Sequence, residues 1–174
     1  MNKHGELTAQ IAQSLKYDEF DVFYDHGEAG ENVGEIVSTI KKEFQREDEL
    51  SLLDIAIVEK GSRIAIALLE IEETCDNPKA MLGDIFSVLF GKHISFKGKE
   101  LAIGKYTTLI AVGVSPADHE KKNKYLVKKV KKVKAALGTK NSRIGKVIIK
   151  TYADERDLSI QVPALLEMVI RGGV

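Results

Sequence analysis

Three carboxylates, Asp54, Glu70 and Glu72, sit in or at the ends of two apolar runs, Leu50 to Val58 and Ile64 to Ile71, separated by Glu59-Lys60-Gly61-Ser62-Arg63. Two such runs joined by a short polar segment containing glycine predict a β-hairpin. With the turn centred on Gly61, Asp54 falls opposite Leu68, and Glu70 lies diagonally from Asp54 on the same face at a Cα separation of about 7–8 Å. Glu72 shares the face of Glu70, because alternate residues of a strand point the same way. Oxygen donors grouped in this way suit a hard divalent cation. The neighbours Leu52, Leu53, Ile55, Ile57, Leu68, Leu69 and Ile71 predict strands covered on both sides. A carboxylate there is costly to desolvate, and a cation or a water-filled cleft relieves the cost. The competing account is a solvated strand end, with Asp54 paired to a basic side chain and Glu70, Glu72 and Glu73 leading into a loop.

The elements that would position these groups follow from the hydrophobic pattern. Leu7, Ile11, Ala12 and Leu15 recur at helical spacing, and Phe20 to Tyr24 reads as a short strand followed by a loop around Gly27 and Gly30. From Asn32 to Phe44, the stripe of Val33, Ile36, Val37, Ile40 and Phe44 predicts a second helix, which would carry Glu35. Asp76-Asn77-Pro78 reads as a helix start. Lys79 is then in its first turn, and Met81, Leu82, Ile85, Val88 and Leu89 face inward. Tyr106 to Val114 reads as a buried strand ended by Ser115-Pro116. Leu126, Val130, Val133 and Leu137 mark a helix ending at Gly138, Gly145 to Tyr152 a strand, and Ile160 to Ile170 a last helix interrupted or started by Pro163. Helices interspersed with strands in this order predict one α/β domain over residues 1–174, a mixed β-sheet flanked by helices on both sides.

Composition narrows the function classes. The chain has 174 residues, 44% hydrophobic and 30% charged, with three Pro and no Trp, which fits neither a disordered nor a collagen-like chain. A single cysteine, Cys75, excludes an internal disulfide, and its acidic neighbours Glu72, Glu73 and Asp76 argue against a reactive thiolate. His4, His26, His93 and His119 are scattered, without zinc-ligand spacing. No signal peptide or membrane-length apolar run is present, so a cytoplasmic protein with no membrane partner is expected. No phosphate-loop or dinucleotide-binding glycine pattern follows a strand.

The zero net charge hides a segregation. Residues 1–76 hold 18 acidic and 7 basic side chains, net −11, and residues 118–150 hold 2 acidic and 12 basic ones, net +10. Lys121, Lys124, Lys128, Lys131 and Lys132 surround the apolar stripe of the Leu126 to Leu137 helix together with further lysines, and Lys140, Arg143 and Lys146 extend the patch. Such a face could track a nucleic-acid backbone; equally, a lysine-rich face is the ordinary solvated side of a helix. With Tyr125 as the one aromatic in this helix, base stacking has little support.

Leu53-Asp54 on one strand and Glu70-Ile71-Glu72 on the next, preceded by a helix carrying Glu35 and followed by one at Pro78, resemble the PD-(D/E)XK nuclease superfamily, the restriction-endonuclease-like fold. The match covers roughly residues 31 to 115. The resemblance implies Mg2+ (or Mn2+) held by Asp54 and Glu70, with Glu72 as a base or further ligand, Glu35 as an auxiliary acid, and hydrolysis of DNA phosphodiesters. Leu53 stands in place of the family's proline, and Glu72 in place of its usual lysine, a Glu-x-Glu variant found in some restriction endonucleases. Lys79 is the first lysine that could take over the missing one's place. The resemblance also admits a homodimer, and the loss of lysine leaves open a catalytically inactive nuclease-fold module that binds nucleic acid or a partner protein.

Overall fold

Aliphatic and β-branched residues dominate the segments Ile55–Glu59 and Ile64–Glu72, and these form the middle of an eight-stranded sheet. The computed structural model describes residues 3–15, 17–28, 30–41, 46–74, 78–137 and 143–172. Its strands are β1 (Phe20–Tyr24), β2 (Ile36–Thr39), β3 (Glu49–Leu53), β4 (Ile55–Glu59), β5 (Ile64–Glu72), β6 (His93–Phe96), β7 (Lys99–Val114) and β8 (Lys146–Tyr152). The helices are α1 (Lys3–Ser14), α2 (Pro78–Phe90), α3 (His119–Leu137) and α4 (Glu155–Ile170). Hydrogen bonding runs in the order β1-β4-β5-β7-β6-β2-β3, with β8 added alongside β7.

The sheet is mixed for a steric reason. β4 and β5 pair antiparallel across a short turn and β1 pairs antiparallel with β4, whereas β5/β7 and β7/β8 are parallel and require crossovers, which α2 and α3 provide. The two faces bury separate apolar layers. On one, Leu68, Ala56 and Leu109 pack with Met81, Ile85 and Leu89 of α2 and Leu126 and Val130 of α3. On the other, Ile55, Leu69 and Ile110 pack with Leu7 and Ile11 of α1 and Leu158, Val162 and Leu166 of α4. Helices thus flank the sheet on both sides, as the sequence pattern implied. Among the described residues, no helix is long and apolar enough to cross a membrane.

Two expected elements differ. The helix expected from Asn32 to Phe44 is instead the strand β2 over Ile36–Thr39, whose four residues are all buried. β2 pairs with β3 on one side and β6 on the other, so long-range ladder bonds and burial of β-branched residues override a helix-compatible stripe. The run from Leu50 to Val58 is two strands, broken at Asp54, where the chain leaves β2 as its partner and joins β1 and β5. The strand expected to begin at Tyr106 starts at Lys99, after a two-residue turn in which Lys97 and Gly98 have φ of 48° and 73°. Positive φ at both positions matches the twist of a tight hairpin. Pro163 lies inside α4, which is capped by Asp154, whose side chain accepts from the Asp157 N–H at 2.8 Å. The expected caps at Asp76, Asn77 and Gly138, together with Phe44, Cys75 and Lys140, lie outside the described residues.

Candidate metal centre

Asp54 occupies the break between β3 and β4 and is only 4% exposed. Its N–H donates to the Leu69 carbonyl at 3.2 Å, its own carbonyl accepts from Asp25 N–H at 3.1 Å, and its Oδ2 accepts from Ile71 N–H at 2.6 Å. The residue is therefore clamped between the end of β1 and the end of β5. A bulge between Ile57 and Val58 alters the hairpin register, so that Ile57 pairs with Ala67 and Ile55 with Leu69. The ladder ends at Ile55 and Leu69, and Asp54 just beyond it bonds to Leu69 and Ile71, the two neighbours of Glu70, not to Leu68. Two shifts separate this from a turn centred on Gly61: the loop spans residues 60–63, which accounts for one residue of register, and the bulge adds a second.

Glu70 and Glu72 alternate with Leu69 and Ile71, which belong to the α1/α4 layer, and so they point toward α2. Glu70 is partly buried as a residue, but its Oε2 is fully enclosed and has no hydrogen-bond partner among the described residues. Burial, then the negative charges of Asp54, Asp84, Asp25 and Glu72, hold its carboxyl well above the usual carboxylate range. Asp84, on the second turn of α2, is also pushed up, by burial and by Asp54, against the lowering effect of a backbone hydrogen bond. Every charge named as acting on Glu70 is a carboxylate. Asp25 and His26 follow directly on β1. One ligand atom from each of Asp25, His26 and Asp54 lies within 4.8 Å of the others, and His26 Nδ1 is 2.6 Å from Asp25 Oδ1. The His26 ring rests on α1 at Gly5, where a Cβ would come within 3.0 Å of Cδ2.

The structure thus brings Asp54 and Glu72 near enough to Glu70 for their charges to act on its carboxyl, in a register that differs from a turn centred on Gly61. It does not bring Glu35 to them by way of a helix: Glu35 is exposed and lies immediately before β2. Its backbone carbonyl accepts from Lys97 N–H at 3.4 Å. Lys79 is exposed in the first turn of α2, and neither residue is among the charges that shift Glu70. Asp25, His26 and Asp84 were not legible as site residues. Their one sequence signal was position: two polar ligand types directly after a strand, and one acid inside the apolar segment Met81-Leu82-Gly83-Asp84-Ile85-Phe86.

Lys121, Lys124, Lys128, Lys131 and Lys132 are all exposed on α3. Their spacing of three and four residues forms one stripe, roughly opposite the buried Leu126 and Val130. Gly113 of β7 pairs with Glu72, and α3 starts shortly afterwards at His119, so the stripe begins at the end of the sheet that carries the acidic cluster. No protein-family model, curated protein or solved structure matches this chain.

Proposed function

We propose that this protein is a Mg2+- or Mn2+-dependent nuclease that hydrolyses DNA phosphodiester bonds at the Asp54/Glu70/Glu72 cluster. The observation that carries this reading is the enclosed Glu70 Oε2, which lacks a hydrogen-bond partner and is surrounded by further carboxylates. An anion buried among anions is expensive, and a divalent cation is the economical way to compensate it. Asp54 and Glu70 would hold the ion. When bound, it would polarise the scissile phosphate and lower the pKa of the attacking water.

The chain's own groups supply the rest. Asp54 is immobilised through three hydrogen bonds, so its carboxylate is preorganised. Glu72, two residues beyond Glu70 on the same face, is placed to accept a proton from water or to orient it, the role that the resemblance to PD-(D/E)XK nucleases assigns to this position. The exposed lysine stripe of α3 offers contacts to the phosphate backbone.

The test is cleavage of duplex, single-stranded and branched DNA with Mg2+ or Mn2+ by wild type, Asp54→Asn and Glu70→Gln. Cleavage by wild type that both substitutions abolish is the expected result, and no cleavage of any substrate by wild type sinks the reading. One observation favours a second reading, a nuclease-fold module that binds DNA without cutting it: Glu72 stands where the resemblance calls for lysine. That reading requires DNA binding that is insensitive to Glu70→Gln.

A further inference from the structure

The residues just after β1 extend the cluster beyond the carboxylates of the hairpin. We propose that Asp25 and His26 join Asp54 in holding the cation beside Glu70, and that the His26 imidazole makes this site select Mn2+ over Mg2+. The inference rests on the reading that Asp54 and Glu70 hold a divalent ion.

Two ligand atoms that share an ion at about 2.0–2.5 Å each can be no more than about 5 Å apart. The ligand atoms of Asp25, His26 and Asp54 meet that requirement, lying within 4.8 Å of one another before any ion is considered. Their positions are fixed by backbone, not by chance rotamers. Asp25 N–H donates to Asp54 O at 3.1 Å, Tyr24 N–H to Asn32 O at 3.0 Å, and Gly34 N–H to Tyr24 O at 2.9 Å. The absence of a side chain at Gly5 leaves the His26 ring its place against α1. Beside this group of three lies the enclosed and unpartnered Glu70 Oε2, near enough to Asp25 and Asp54 for their charges to act on it.

Mg2+ prefers an all-oxygen octahedron and retains much of its water, whereas imidazole nitrogen favours transition ions. A site with several carboxylate oxygens and one imidazole suits Mn2+, which accepts both donors. A plain Asp25–His26 ion pair would have no such consequence for ion choice. The side chain of His26 is 43% exposed, so its replacement should leave the fold intact.

The experiment is calorimetric titration of the metal-free protein with MnCl2 and with MgCl2, for wild type, His26→Ala and His26→Asp, alongside pulsed electron paramagnetic resonance of the Mn2+ complex. Wild type should bind Mn2+ at least about 10-fold more tightly than Mg2+ and show modulation from a coordinated imidazole nitrogen. His26→Ala should lose most of that preference, and His26→Asp, an oxygen donor at the same position, should bind both ions with similar affinity and without the modulation. An unchanged Mn2+/Mg2+ ratio in both variants overturns this inference alone and leaves a Mg2+ nuclease standing. Lost selectivity in a protein that cuts no DNA upholds the inference while the nuclease reading fails. Absence of binding by wild type to either ion overturns both.

Discussion

The surroundings of Glu70 resist a negative charge on it, and this has a measurable consequence for stability. Its folded-state pKa lies well above its ordinary value, chiefly through burial and then through Asp54, Asp84, Asp25 and Glu72. At a pH between the two values the folded chain keeps a proton that the unfolded chain has released. Stability from this group is therefore fully present at acid pH and is lost as pH rises through the folded value. Asp84 is shifted in the same direction and adds to the trend. Urea unfolding in a chelator, from about pH 5 to about pH 8, should show falling stability for wild type and a flatter profile for Glu70→Gln. Near neutral pH that neutral isostere should be the more stable protein, since it stays neutral in the fold without taking up a proton that the unfolded chain releases. Adding Mn2+ should reverse the order, because only wild type gains the linkage stabilisation of a bound ion. A substitution that destabilises at every pH would mean that Glu70 has a favourable partner in the metal-free protein.

Among the elements, the loop between β1 and β2 decides whether Asp25 and His26 are held in place. Lys97, in the β6–β7 turn, reaches across to it: Nζ donates to Gly30 O at 2.9 Å and to Glu31 O at 3.2 Å. Gly34 makes room for this path, since a Cβ there would lie 2.7 Å from Lys97 Cε. Lys97→Asn removes the amine while tolerating the left-handed backbone at φ 48°. It should cost about 0.5–1.5 kcal/mol in urea unfolding and speed proteolysis in the loop. Cation affinity should fall with it, and unchanged affinity would show that the loop holds its shape without the lysine. Nothing about this bridge was legible in the sequence, because it joins residues 66 and 67 positions apart. What was legible was local. The Ile64 to Ile71 strand, the turn near Gly61, α2 and α3 each announce themselves through a pattern a few residues long. β2 did not, since Val33, Ile36, Val37 and Ile40 satisfy a helical stripe, and only its ladders to β3 and β6 make it a strand. The bulge at Ile57/Val58 was equally hidden, and with it the shift that brings Asp54 to Leu69 and Ile71, beside Glu70.

On the scale of the molecule, the buried acidic cluster and the lysine stripe of α3 share a starting point. The acidic cluster occupies the end of the sheet where β5 finishes, and α3 begins at that same end and carries its lysines away from it. At about 1.5 Å per residue, Lys132 lies about 16 Å farther along the helix than Lys121. A duplex whose scissile phosphate reached Glu70 would therefore meet Lys121 and Lys124 first and Lys131 and Lys132 later. If the stripe holds the backbone, the logarithm of DNA affinity should fall linearly with that of salt concentration, with a slope of about −0.9 per contacted phosphate. Replacing Lys121 and Lys124 by Gln, or Lys131 and Lys132 by Gln, should each lower the magnitude of that slope by up to about 2. All four are exposed, so fold and cation affinity should not change. The two pairs should differ in cleavage: losing Lys121 and Lys124 removes the contacts nearest the cluster and should reduce turnover even at saturating DNA, whereas losing Lys131 and Lys132 should weaken binding alone. A salt slope that neither pair alters would make the stripe an ordinary solvated helix face, and the path of any bound nucleic acid would then have to leave the acidic cluster away from α3.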